Sequence, residues 1–326
     1  MALTDRKFFE HYKGTSLGAE IRLKTAYEFA FSPDSSRVAF IGGRYVTMLD
    51  IATRESRFVV HPIANPSHID FSPDGRCLVV KSTSGRTIIL DAKTGELFCD
   101  FCNQKDGEGD SALFTACSRF VASVSWSGLF SLRDRSTAEI VFSQTYSDCQ
   151  LTQLSTTADR SVFVYSVGGR PHTPDGLTPC TVALHRWPTR NARAEVLPKE
   201  WPAIGGLQIS PSGRYLAVAF GTPPSTLEIF DISTSRTVAR RDWSGPHGSS
   251  IAWSHDERAL IVTERDGFRV YDLPKLTVSY DLPIEYPCFV EFSPSEDFVS
   301  FGSWKKSFIV PTSDLAKFAE RRRDAS

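Results

Sequence analysis

Short apolar runs alternate with turn-forming residues along nearly the whole chain, and the alternation repeats. A recurring tracer, an aromatic or aliphatic residue followed by Ser and a turn, reads Phe31-Ser32-Pro33-Asp34, Phe71-Ser72-Pro73-Asp74-Gly75, Ile209-Ser210-Pro211-Ser212-Gly213, Trp253-Ser254-His255-Asp256 and Phe292-Ser293-Pro294-Ser295. Degenerate copies stand at Phe114-Thr115-Ala116-Cys117 and Leu154-Ser155-Thr156-Thr157. Counted between the Ser or Thr positions, the seven copies are 40, 43, 40, 55, 44 and 39 residues apart. The fourth interval therefore carries an insertion, which falls at Gly168 to Cys180.

Each tracer leads into a β-rich run such as Cys77-Leu78-Val79-Val80, then a turn, then a run ending in Asp, as in Thr87-Ile88-Ile89-Leu90-Asp91 and Phe268-Arg269-Val270-Tyr271-Asp272. A further run, for example Glu96-Leu97-Phe98-Cys99, completes four strands per unit, called a to d from the axis outward. A strand-only unit with a period of about 40 to 45 residues predicts the blades of a propeller. The expectation is all-β, with seven blades.

The seventh unit ends after its third strand, Ser307-Phe308-Ile309-Val310. Its missing outer strand is supplied by Glu20-Ile21-Arg22-Leu23-Lys24, whose alternation of charged and apolar residues suits a half-solvated edge. Pairing the two ends closes the ring and hides a strand edge. Short helices are expected at both ends, so the chain divides into an N-terminal helical extension (1–19), the propeller (20–312) and a C-terminal helix and tail (313–326). Leu315 and Phe318 are expected to pack the C-terminal helix on the edge, and the run Arg321-Arg322-Arg323 to be solvated.

The Ser-Pro-Asp-Gly turn, apolar strand and strand ending in an aliphatic or aromatic residue plus Asp resemble the WD-repeat family over about residues 20 to 312. The resemblance is degenerate: no Gly-His pair opens a repeat, no third strand ends in Trp-Asp, and the fourth unit ends Leu184-His185-Arg186-Trp187 without the Asp. It implies a propeller that binds other proteins.

Composition narrows the function. With 37 basic and 38 acidic residues the formal charge is -1, so no overall field draws the chain to nucleic acid or an anionic membrane. Seven cysteines thinly spread over 326 residues point to a reducing compartment, and charged residues at the N-terminus stand where a leader needs apolar ones. A cytoplasmic location is expected.

On a propeller, the b-to-c turns and d-to-a connections meet on one face, the top. The large aromatics fall there. Trp126 and Trp304 lie in b-to-c turns of blades three and seven, with Lys305 beside the latter; Trp201, Trp243 and Tyr286 precede blades five, six and seven. Aromatic and cationic groups of this kind form interface centres, so a protein or peptide partner on the top face is expected from Trp126, Trp201, Trp243, Tyr286, Trp304 and Lys305.

No catalytic motif, cofactor or metal site is expected. Cys99 and Cys102 form a C-x-x-C without the second pair a zinc site needs. Asp106, Glu108 and Asp110 alternate as in a calcium loop, but Cys117 stands where the closing Glu belongs. The residues before each tracer, Ala30, Asp70, Leu113, Gln153, Gln208, Ala252 and Glu291, are expected to face the axis, with Asp70 and Glu291 as solvated channel acids. The alternative function is a lactonase-like hydrolase, with those two acids holding a divalent cation.

Overall fold

The computed structural model describes residues 20–101, 108–109, 111–169, 179–188, 193–221, 225–243 and 250–323. The strands form seven separate antiparallel sheets, one for each expected unit. Blade one, for example, consists of Glu28–Phe31, Arg37–Gly42, Tyr45–Asp50 and Ser56–Val60, hydrogen-bonded in chain order. Blade four departs from this plan. Its outer strand is only Glu195–Val196, and Trp201–Pro202 adds a second short partner to the long third strand Pro179–Arg186.

Blade seven holds Pro287–Phe292, Phe298–Ser303 and Ser307–Pro311, and its fourth strand is Ile21–Leu23. Ile21 pairs with Ile309, Arg22 with Phe308 and Leu23 with Ser307. Ile21 and Leu23 are buried in the seam between blades seven and one, together with Phe29, Phe31, Phe40 and Ile309. The expected closure of the ring is present.

The C-terminal helix, Leu315–Arg323, seals the neighbouring seam of blades six and seven. Phe318 is fully buried, with its ring centroid 5.2 Å from Phe308 and 5.9 Å from Phe301. The arginine run is not merely solvated. Arg321 bonds the buried Glu20 at 2.7 Å, and Arg322 donates to the Pro283 carbonyl at 3.1 Å. The expected N-terminal helical extension lies outside the described residues.

The tracer turns explain why Ser or Thr recurs. Its backbone N–H bonds the carbonyl five residues on, and its hydroxyl accepts the N–H of that same residue, as in Ser32 with Arg37 and Thr157 with Val162. Where Asp stands two residues on, the hydroxyl donates to it, at 2.6 Å for both Asp34 and Asp159. The bond from Ser32 holds the Asp34 carboxyl down at about 2. The third residue after the Ser or Thr has positive φ in every blade: Ser35, Gly75, Ser118, Arg160, Gly213, Glu257 and Glu296.

That shared geometry corrects the register of blade four. The turn begins at Thr157, two residues beyond the expected Ser155, because the first strand, Cys149–Thr156, carries an irregularity between Thr152 and Ser155 with Gln153 at φ +59. The strand-ending acids are likewise structural. Asp50, Asp91, Asp134 and Asp231 each accept backbone N–H groups of the following turn, and the Ser233 hydroxyl helps hold Asp231 at about 2.

Candidate functional site

Two places concentrate chemistry: the channel along the ring axis and the top face where blade seven meets blade one.

The channel is a cavity of about 770 Å³. Its lower rim is formed by the residue after each tracer Ser or Thr, namely Pro33, Pro73, Ala116, Ala158, Pro211, His255 and Pro294. Above it lie Asp70, Arg160 and Glu291. The Arg160 guanidinium reaches from the blade-four turn to blade two, bonding both Asp70 oxygens at 2.6 and 2.8 Å, and it also donates to the Phe114 carbonyl of blade three at 3.0 Å. The Phe114 N–H, at 2.8 Å, is a further donor to Asp70. One tracer residue thus ties three blades together.

Asp70 is therefore not the solvated channel acid expected, since it is only 7% exposed and its charge is matched. Glu291 differs again. Its Oε2 is shut off from solvent with no hydrogen-bond partner, and burial, reinforced by the Asp70 charge, pushes its carboxyl well above the usual range. The corrected blade-four register replaces Gln153 by Ser155 at the axial position. The Ser155 hydroxyl accepts the Ile209 N–H at 3.1 Å, as the Asp70 carboxylate accepts that of Phe114.

The axial acids do not form a ready cation site, because the Asp70 oxygens are committed to Arg160 and Phe114. Among the described residues, no group of three or more His, Cys, Asp or Glu is arranged to hold a metal ion. Cys102 and most of the 106–110 segment lie outside the described residues. Cys99 faces the Ser136 carbonyl of blade three at 3.8 Å.

On the top face, the structure brings together three of the six sequence-predicted residues. Trp304 is 59% exposed and Tyr286 61%, and Lys305, next to Trp304 in the chain, reaches over the Tyr286 ring. The turn that carries Trp304 and Lys305 is held from below by two fully buried serines. The Ser303 hydroxyl donates to the Glu285 carbonyl at 2.6 Å and accepts the Lys305 N–H at 3.0 Å. Ser307 donates through its hydroxyl to the Ala26 carbonyl at 2.8 Å, and that carbonyl also accepts the Ser303 N–H at 2.9 Å. The Trp304 N–H bonds the Tyr286 carbonyl at 3.1 Å, fixing the two exposed aromatics to each other.

Side chains finish the arrangement. The Trp304 ring stacks on Tyr27 at 4.5 Å and 24°. The Tyr27 hydroxyl donates toward the Gly43 and Pro66 carbonyls, so one ring links the tops of blades seven, one and two, and burial pushes its hydroxyl up to about 12. The Lys305 ammonium lies 5.0 Å from the centre of the Tyr286 ring and 2.9 Å from Glu285, the contact that raises the lysine and lowers the acid. Sequence reasoning missed Tyr27. Its signal was position, since it occupies the d-to-a connection of the closing joint, the same class of loop as Tyr286.

The other three residues lie elsewhere. Trp126 is half-buried in the top turn of blade three, where its N–H bonds the Glu108 carbonyl at 2.6 Å. Trp201 must be withdrawn from any partner surface, because it is 1% exposed and fills the seam between blades four and five. Its indole N–H reaches Glu228 at 3.3 Å, and Lys199 lies over its ring at 5.3 Å. An indole whose edge finds a buried acceptor is held inward. Trp243 ends the outer strand of blade five, and its side chain lies outside the described residues.

No family model matches the chain, and no curated protein matches it. Its fold is similar to that of a solved structure, Kuenenia stuttgartiensis hydrazine synthase, with a TM-score of 0.72 and 15% identity over 89% of this chain and 96% of that one. At that identity the likeness concerns the fold alone. The chain is a seven-bladed β-propeller.

Proposed function

We propose that the protein is a non-catalytic interaction scaffold of the WD-repeat type that takes a protein or peptide partner on its top face. The observation that carries this reading is Trp304, a large exposed ring fixed in place by the buried Ser303 and Ser307 beneath it. A preformed aromatic contact loses little entropy on association, and such residues dominate interface energetics. The WD assignment is supported by the Ser-to-Asp turn bonds and the Asp-capped third strands. A cytoplasmic location belongs to the same reading, on the seven cysteines spread thinly along the sequence; no helix described is long and apolar enough to cross a membrane.

The hydrolase alternative draws no support from the channel, where Arg160 occupies both oxygens of one of its two acids. The test is affinity capture from the native extract with the full chain and with the Trp304→Ala/Tyr286→Ala variant. The variant is expected to retain less than about a tenth of the specific prey, since loss of two hot-spot rings costs ~1.4 kcal/mol or more. It should melt within a few degrees of the parent. An unchanged prey set would remove the top face from consideration.

A further inference from the structure

The charges around Trp304 define what kind of partner suits it. Lys305 and Lys306 follow Trp304 in the same turn, and all three are exposed. Lys24, also exposed, precedes Thr25, whose hydroxyl donates to the Lys305 carbonyl at 3.4 Å. Exposed Arg44 follows Gly43, whose carbonyl receives the Tyr27 hydroxyl under the Trp304 ring. Gly43, at φ +63, allows the tight turn that presents Arg44 there.

Four cations therefore lie around the aromatic pair, and Glu285 among them is held by Lys305 and also feels the charge of Lys306. Among the described residues Lys24, Arg44 and Lys306 take part in no ion pair. A local excess of positive charge on a chain of formal charge -1 is a feature of this arc rather than of the whole surface.

Resting on the reading of the top face as a partner site, we propose that the arc across blades seven and one binds an acidic linear segment of a partner protein. An aromatic or aliphatic side chain of that segment lies against Trp304 and Tyr286, and flanking Asp or Glu residues meet Lys24, Arg44, Lys305 and Lys306. The pinned turns favour a short segment, because the protein side is ordered before binding. Single-stranded nucleic acid suits the arc less well. Trp304 has one face covered by Tyr27 and Tyr286 one covered by Lys305, which leaves little of the repeated open stacking surface that successive bases use.

Fluorescence anisotropy with the full chain tests this using three labelled probes of equal length: a peptide of Glu residues interspersed with Phe and Leu, the same peptide with Lys for Glu, and oligo(dT). The acidic peptide is expected to bind with Kd on the order of 1–100 µM. Added salt should weaken it. Trp304→Ala and Lys24→Glu/Lys306→Glu should each weaken it about tenfold or more, while Leu97→Glu, on the outer strand of blade two, should leave it unchanged. Melting curves confirm that each variant is folded.

Equal or tighter binding of the lysine peptide or of oligo(dT) would overturn the proposal. So would acidic-peptide binding that is indifferent to Trp304 and the lysines, or no binding by the acidic probe. In that last case, prey still lost on Trp304→Ala/Tyr286→Ala in the capture experiment would leave the top-face reading standing and remove only the acidic partner.

Discussion

Replacing Arg160 with Met is expected to lower stability by about 2–4 kcal/mol, because it strands the Asp70 carboxylate in the channel wall with a single remaining N–H donor. The same loss places that uncompensated charge near Glu291, whose carboxyl is already pushed well above the usual range by burial and by the Asp70 charge. A variant that removes both charges, Asp70→Asn/Arg160→Met, should recover at least half of the loss, since no ion is then left unpaired. Urea unfolding of the three proteins reads the difference. If the double variant is no more stable than Arg160→Met, the guanidinium contributes through packing and the Phe114 carbonyl rather than through Asp70.

Truncating the closing strand is expected to have the largest effect. In Ile21→Ala/Leu23→Ala, two side chains 3% and 4% exposed leave the seam between blades seven and one. Large-to-small changes at such sites cost about 2–5 kcal/mol each, against a total stability of about 5–15 kcal/mol for a typical domain. The melting temperature should therefore fall by roughly 10 °C or more. A fall of less than about 3 °C would mean that the ring is held without its N-terminal strand. The two variants probe different joints: one ties blade four to blade two across the axis, the other joins the chain ends.

These joints differ in how readable they were from the sequence. The closing strand was legible because each blade is a local pattern of alternating residues and turns, so a unit one strand short exposes its deficit wherever the spare strand lies. The register of blade four was not. Leu154-Ser155 offers the expected apolar-Ser pair, but the turn is set by Thr157 and its bond to Asp159, after an irregular first strand.

Arg160 was invisible for a related reason. It occupies a turn position whose side chain in other blades bonds locally to a neighbouring turn, as Ser118 does to the Asp74 N–H and Ser35 to the Ser295 N–H. Nothing in the spacing announces that an arginine at this position spans 90 residues to Asp70. The two tryptophans Trp201 and Trp304 show the same limit. Both follow from the loop map, yet one is internal because Glu228 and Phe230 of blade five receive it, and the other is exposed because its turn is pinned below the ring.

The scaffold reading is tested most directly by photo-crosslinking in the native extract from a photoreactive residue placed at position 306, beside the aromatic pair, or at position 94, in a bottom turn of blade two. The expected result is a discrete higher-mass adduct from position 306, abolished by Trp304→Ala, and none from position 94. An adduct from position 94 with none from position 306 would contradict the account.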